Sequence, residues 1–91
     1  MENLYLRVDE SDEKVAVHVH NLFSYSDSVK LSEMEYVLTQ RFNFMPGNIL
    51  SEDEMRKMVK VEERYRLRGI AYYPIENGMV VNELRRQIHN N

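Results

Sequence analysis

The chain has no cysteine and no tryptophan, and its 91 residues include only three glycines and two prolines. Without cysteine there is no disulfide, no thiol nucleophile and no thiolate metal site. Three glycines leave no glycine-rich loop of the kind that cradles phosphate groups. These absences exclude thiol chemistry and phosphate-binding loops, and they fit a protein of a reducing compartment.

Long hydrophobic runs are also missing. No apolar run approaches the length that spans a membrane, and the N-terminus lacks a basic region followed by an apolar one. Apolar residues nevertheless make up 43% of the chain and charged residues 30%, which is a globular composition. Length and composition predict one small domain over residues 1–91, in the cytoplasm and not in a membrane.

Positive charge is in deficit overall but not everywhere. The net charge is -3, from 12 basic and 15 acidic residues, which counts against an indiscriminate nucleic-acid binder. Six basic residues nevertheless fall within residues 56–68, against only Glu62 and Glu63. The sequence therefore predicts one basic face on an acidic protein.

Alternating apolar residues predict two strands near the N-terminus. Residues 4–8 alternate between apolar and other side chains, residues 15–19 repeat the alternation with valines, and the polar residues 9–13 between them form a turn. A hairpin is the expected result. His18 and His20 would then face the same side of a strand, but no third ligand with metal-binding spacing accompanies them, so no metal site is predicted.

A capped helix is predicted in the middle of the chain. Ser32 is a suitable N-cap, and Glu35, three residues later, completes a capping box. Apolar residues then fall on one helical face, namely Met34, Val37, Leu38 and Phe42. The helix cannot continue through Pro46, and Gly47 permits a turn.

A second capped helix follows. Ser51 and Glu54 repeat the capping box, and Leu50 and Met55 stand at the positions of a hydrophobic staple. Acidic residues in the first turn and basic residues later in the helix suit the helix dipole. The helical pattern extends to Arg68, and the glycine that follows is a suitable stop signal.

The last part of the chain predicts a hairpin and a helix. Residues 70–73 have strand character, Asn77 and Gly78 form a strong two-residue turn signal, and residues 79–81 are the returning strand. A short helix is expected from about Asn82. The predicted fold class is therefore α+β, with N-terminal antiparallel strands, a central helical pair and a C-terminal hairpin or helix.

The central helical pair resembles the winged-helix effector domain of OmpR/PhoB-type response regulators, over about residues 1–59. The residues that match are Leu31, Ser32, Glu35, Tyr36, Leu38, Phe42, Pro46, Leu50, Ser51, Asp53 and Met55. The resemblance implies a helix-turn-helix that binds DNA and regulates transcription. No receiver domain with a phosphorylatable aspartate accompanies it, so a stand-alone winged helix is expected.

The resemblance leaves two positions open for the recognition helix. Residues 81–88, VNELRRQI, are similar to the family's recognition helix but come last in the chain. Residues 68–72, RGIAY, look like the family's wing but come earlier than expected. Either the recognition helix is residues 82–89 and the wing is absent, or residues 52–68 form the third helix and residues 65–81 form the wing.

We therefore expect a small, non-enzymatic, DNA-binding transcriptional regulator that acts as a homodimer on double-stranded DNA without a cofactor. Arginines would contact the phosphate backbone, while an asparagine and a glutamine would read bases. The candidate DNA-binding residues are Arg64, Arg66, Arg68, Asn82, Arg85, Arg86 and Gln87. The alternative is a protein-interaction module or inhibitor on a winged-helix-like scaffold. No catalytic motif surrounds the serines and histidines, and adjacent acidic pairs such as Glu62–Glu63 are expected on the solvated surface.

Overall fold

The computed structural model describes residues 3–44 and 46–82 and confirms the α+β class. Within this part of the chain there are three α-helices, one short 3-10 helix and a five-stranded antiparallel sheet. In chain order the elements are β1 (Leu4–Asp9), α1 (Glu13–Leu22), β2 (Ser28–Lys30), α2 (Leu31–Phe42), the 3-10 helix (Pro46–Asn48), β3 (Ile49–Ser51), α3 (Glu52–Arg64), β4 (Ile70–Glu76) and β5 (Met79–Val81).

The sheet has the strand order β2-β5-β4-β1-β3, so the first strand lies inside the sheet. Leu6 of β1 pairs with Tyr73 of β4 on one side and with Ile49 of β3 on the other. Successive side chains of a strand point to opposite faces. Leu6 therefore points to one face of the sheet, and Tyr5 and Arg7 point to the other.

Helices cover both faces of this sheet. The first face packs against α1 and α2, and its buried cluster contains Leu6, Val8, Val15, Val19, Met34, Leu38, Ala71, Tyr73 and Val80. The second face packs against α3, and its buried cluster contains Leu50, Met55, Val59, Ile70 and Tyr72. The two predicted central helices, α2 and α3, thus belong to different apolar clusters on opposite faces.

The predicted N-terminal hairpin is wrong, because residues 15–19 belong to helix α1 and not to a strand. Asp12 caps the helix, and its side chain accepts a hydrogen bond from the backbone N–H of Lys14 at 2.8 Å. Val15 and Val19 are buried, whereas Val17 is 51% exposed. Valines spaced two apart satisfy the strand period, but every second one also satisfies the four-residue spacing of a helix. The strand β1 instead pairs with β3 and β4.

The capping box predicted at Ser32 is also wrong, whereas the one at Ser51 is confirmed. Strand β2 runs directly into α2, so Lys30 is the N-cap without a side-chain bond and Ser32 lies inside the helix. At α3, the backbone N–H of Ser51 donates to Glu54 Oε1 at 3.0 Å, and that of Glu54 donates to Ser51 Oγ at 3.3 Å. These bonds satisfy two N–H groups that the helix leaves free.

Helix α3 ends at Arg64, four residues before the predicted end. Arg66 has a φ of 56°, and its backbone N–H donates to the carbonyl of Glu63 at 3.1 Å. The N–H of Leu67 donates to the carbonyl of Glu62 at 2.9 Å. This pair of bonds is the Schellman arrangement, which stops a helix with one left-handed residue. Arginine occupies that position here, so the glycine expected to stop the helix is not needed for it.

The predicted hairpin of β4 and β5 is confirmed. Asn77 and Gly78 have φ values of 52° and 76°, as the two central residues of a type I′ turn require. The helix predicted from about Asn82 lies outside the described residues. Among the helices that the structure describes, none is both long and apolar enough to cross a membrane.

Candidate nucleic-acid interface

The basic patch consists of Lys57, Lys60, Arg64, Arg66 and Arg68, which are all exposed. Helix α3 buries the face that carries Met55, Val59 and Glu62 against the sheet. Because a helix turns about 100° per residue, the lysines and Arg64 lie on the opposite side of α3 from this buried face. The last two arginines follow in the turn to β4. The fold therefore directs all five cations to solvent.

Few carboxylates oppose this charge. Within residues 56–68, all of which are described, Glu63 is the one exposed acid, since Glu62 is buried. A sixth basic residue, Arg56, is paired with Glu52 at 3.1 Å and is left out of the patch. The acidic residues of α3 are otherwise confined to its first turn. The second half of α3 and the following turn thus form a positive surface on a protein of net charge -3.

The structure brings together only some of the predicted DNA-binding residues. Arg64, Arg66 and Arg68 share the basic patch. Asn82 does not join them, because it follows β5 and lines a cavity of about 180 Å³ with residues of α1 such as Val19. The remaining three candidates, Arg85, Arg86 and Gln87, lie outside the described residues. The site predictions beyond the patch therefore stay predictions.

Two members of the patch, Lys57 and Lys60, belong to the predicted basic face but were not on the list of candidate DNA-binding residues. The signal that would have found them is their spacing. With Arg64 they stand at positions i, i+3 and i+7, which fall on one side of a helix. Treating the basic run as a helix surface selects these three together.

Beneath the patch lies a buried ion pair that the sequence did not reveal. Glu62 is 2% exposed, and its Oε2 accepts a hydrogen bond from Arg7 Nε at 2.7 Å. Its other oxygen accepts a hydrogen bond from the Tyr72 hydroxyl at 2.6 Å. Both carboxylate oxygens therefore have partners on strands β1 and β4, as a buried charge requires.

The prediction that Glu62 lies on the solvated surface is wrong. Glu62 follows Met55 and Val59 at a spacing of four and three residues, so it stands on the buried face of α3. That spacing was the available signal. Its partner could not be inferred from local sequence, because Arg7 is 55 residues away. Together with Met55 and Val59, the pair holds this side of α3 against the sheet, so the basic residues on the other side face outward.

The hydrogen bonds that Glu62 makes with Arg7 and Tyr72 change the acid–base properties of these two residues. Burial alone lowers the pKa of Arg7, but the hydrogen bond and charge of Glu62 outweigh that effect, so the pKa is raised. Burial raises the pKa of Tyr72, and the hydrogen bond to the Glu62 carboxylate raises it further. Arg7 thus stays cationic and Tyr72 stays neutral well into alkaline solution.

Tyr72 should make folding stability sensitive to alkaline pH. Its pKa is raised in the folded protein, so its contribution is constant below the pKa of the unfolded tyrosine, about 10, and is lost as the pH rises above that value. In urea titrations, we expect Tyr72→Phe to lose less unfolding free energy than the wild type between pH 9 and 11. Tyr25→Phe is the control, because Tyr25 is 98% exposed, and it should follow the wild-type pH profile. Equal slopes for wild type and Tyr72→Phe would contradict this account.

His18 and His20 do not lie together. His18 Nε2 is 3.3 Å from Arg41 Nη1, and its ring meets Phe42 edge-on at 5.4 Å. His20 instead lines the cavity that contains Asn82. The expectation that both face one side of a strand is wrong, because residues two apart on a helix point in different directions. Among the described residues, no three histidine, aspartate or glutamate side chains are grouped so as to hold a metal ion.

Comparison with known proteins adds no relative to this description. No known protein family, curated protein or solved structure matches the chain.

Proposed function

We propose that the protein is a non-enzymatic, DNA-binding regulator whose basic patch contacts the phosphate backbone of double-stranded DNA. The observation that carries the proposal is the patch itself, five exposed cations on α3 and the adjoining turn with one exposed carboxylate among them. Cations grouped on one surface of an acidic protein attract a polyanion locally. This proposal assigns α3, and not residues 82–89, as the DNA-contacting helix.

The dimensions of α3 suit this role. Lys57 and Arg64 are seven residues apart, which corresponds to about 10 Å along the helix. That distance matches roughly three phosphates of one DNA strand at about 3.4 Å of axial rise each. A homodimer, which would extend a short footprint, stays a prediction.

The test is the salt dependence of DNA affinity, measured by fluorescence anisotropy with a mixed-sequence duplex. Each phosphate contact contributes a slope of about 0.9 in log affinity against log salt. Three contacts therefore predict a loss of about 40-fold between roughly 50 and 200 mM salt. Replacing Lys57, Lys60 and Arg64 together by glutamine should remove most of this dependence.

A matched control separates the patch from overall charge. Replacing Lys14, Lys30 and Arg41 by glutamine changes the net charge equally, and these three residues are exposed on α1, β2 and α2. The control variant should keep the wild-type salt slope. Equal losses in the two triple variants, or no binding by the wild type at the lower salt, would overturn the proposal.

A second candidate function, a protein-interaction module, is favoured by a different observation. Met58, Val61 and Tyr65 are apolar or aromatic residues on the outside of α3, with exposures of 36%, 42% and 68%. Such residues carry no positive charge that could attract a phosphate, whereas a protein partner would bury them. A protein-interaction module predicts that the protein does not bind DNA at moderate salt and that it binds another protein instead.

A further inference from the structure

We propose that the apolar seam of α3, formed by Met58, Val61 and Tyr65, binds an acidic amphipathic helix of another protein. The spacing of three and four residues places these side chains within about 60° of one another around the helix. The seam lies between the buried face of α3 and the side that carries the basic patch. It is exposed over its whole length.

The spacing of the seam determines the shape of its partner. Apolar positions that alternate at three and four residues are the pattern by which two helices pack side by side. A partner helix with the same alternation would place its apolar residues between those of the seam. This is the way in which an amphipathic helix is recognised on an exposed apolar surface. The seam covers about two turns, so a short helical segment is enough to fill it.

The charge beside the seam determines the sign of its partner. Lys57 and Arg64 border the seam along the side that faces solvent, and they are one heptad apart. On the opposite border lies Glu62, whose charge is already paired with Arg7. Glu54, at the first turn of α3, is the exposed carboxylate in line with the seam. A partner with carboxylates one heptad apart complements this border, whereas a second copy of α3 packed antiparallel would bring Lys57 close to Arg64.

The seam also gives the proposed DNA site a means of control. Lys57 and Arg64 belong both to the border of the seam and to the basic patch, so a bound acidic helix neutralises two of the five cations that DNA would use. The two ligands therefore compete. This competition rests on the proposed function, whereas binding of the acidic helix to the seam does not.

The first experiment measures peptide binding without DNA. The probe is a labelled peptide of about three heptads, with leucines at alternating spacings of three and four residues and glutamates beside them. The control peptide has the same composition in scrambled order, and so the same charge without an apolar stripe. We expect the wild-type protein to bind the amphipathic probe at least tenfold more tightly than the scrambled one. Equal affinity for both peptides, or no binding at roughly 100 μM, would overturn the inference.

Two matched variants place the binding on the seam. Val61→Glu should weaken probe binding at least tenfold, because it puts a carboxylate in the middle of the seam. Val17→Glu should leave it unchanged, since Val17 is also an exposed valine but lies on α1. Circular dichroism is the check that both variants are folded. Equal effects of the two substitutions would contradict the seam as the site, and so would a wild-type protein that sediments as a dimer and becomes a monomer in Val61→Glu.

Competition with duplex DNA completes the test. Displacement of DNA by the amphipathic probe supports the shared use of Lys57 and Arg64. Salt-sensitive DNA binding without any probe binding rejects this inference alone. Probe binding by a protein that does not bind DNA rejects the proposed function alone, and simultaneous binding of both ligands rejects the competition.

Discussion

Replacing Arg7 with methionine should destabilise the protein by about 3 kcal/mol, measured by urea unfolding. Glu62 is 2% exposed and would lose its cation in this variant. Removing one partner of a buried pair is costly because it leaves an uncompensated charge in a medium that solvates it poorly. Since Arg7 itself is 21% exposed, water still reaches the side of the pair that it leaves, so we expect the lower end of the usual range.

A second substitution tests whether the loss comes from the charge. In the double variant Arg7→Met/Glu62→Gln the buried side chain is neutral, and its amide oxygen still accepts a hydrogen bond from Tyr72. We expect the double variant to regain at least half of the stability lost by the single one. A double variant as unstable as Arg7→Met would show that the loss comes from packing of the arginine stem instead.

The exposed ion pair on the same helix provides the matched control. Arg56 and Glu52 are 3.1 Å apart, with side chains 69% and 40% exposed. Arg56→Met should change the unfolding free energy by less than about 0.5 kcal/mol, because water screens the pair and solvates the carboxylate that remains. A larger loss of unfolding free energy in Arg7→Met than in Arg56→Met would identify burial of the carboxylate as the cause.

Two features of the sequence that depend on neighbouring residues predicted structure correctly, although the same capping pattern at Ser32 did not. The start of α3 was predictable because Ser51 and Glu54 satisfy each other's backbone groups within one turn. The turn at Asn77 and Gly78 was predictable because few residues adopt positive φ at both positions. Alternating valines were not decisive, since residues 15–19 fit the helical period as well as the strand period.

Features that depend on distant residues were not predictable from one sequence. The neighbours of β1 are β4 and β3, and both come later in the chain than the segment expected to pair with it. The candidate site likewise has one feature that local sequence reveals and one that depends on distant residues. The run of positive charge was evident from composition, and it included Arg64, Arg66 and Arg68. The outward direction of that charge follows from the buried face of α3, which includes Glu62 and its partner 55 positions away.

Gly69→Ala should destabilise the protein by about 2–3 kcal/mol, from two causes that add. Gly69 has a φ of 83°, where a side chain is strained. A Cβ there would also lie 2.9 Å from the backbone nitrogen of Ser11 and 3.0 Å from its Cα. Backbone atoms cannot rotate away as a side chain does, so the turn after α3 would have to separate from the loop after β1.

Gly78→Ala separates these two causes. Gly78 has a similar φ of 76°, but no atom lies within 4 Å of the Cβ position. Its substitution should cost only about 1 kcal/mol, the strain of the backbone alone. Urea unfolding of both variants measures the difference, and equal losses would show that the close approach to Ser11 is not what matters.

The position of Gly69 links this stability test to the basic patch. The backbone N–H of Glu10 donates to the carbonyl of Gly69 at 2.6 Å, so the turn that carries Arg66 and Arg68 is attached at its end to the loop after β1. Separating the two segments should therefore move these arginines relative to Lys57 and Arg64 on α3. We expect Gly69→Ala, at a temperature where it is still folded, to weaken DNA binding severalfold, while Gly78→Ala binds as the wild type does. Equal DNA affinities in the two variants would show that the patch does not depend on this attachment.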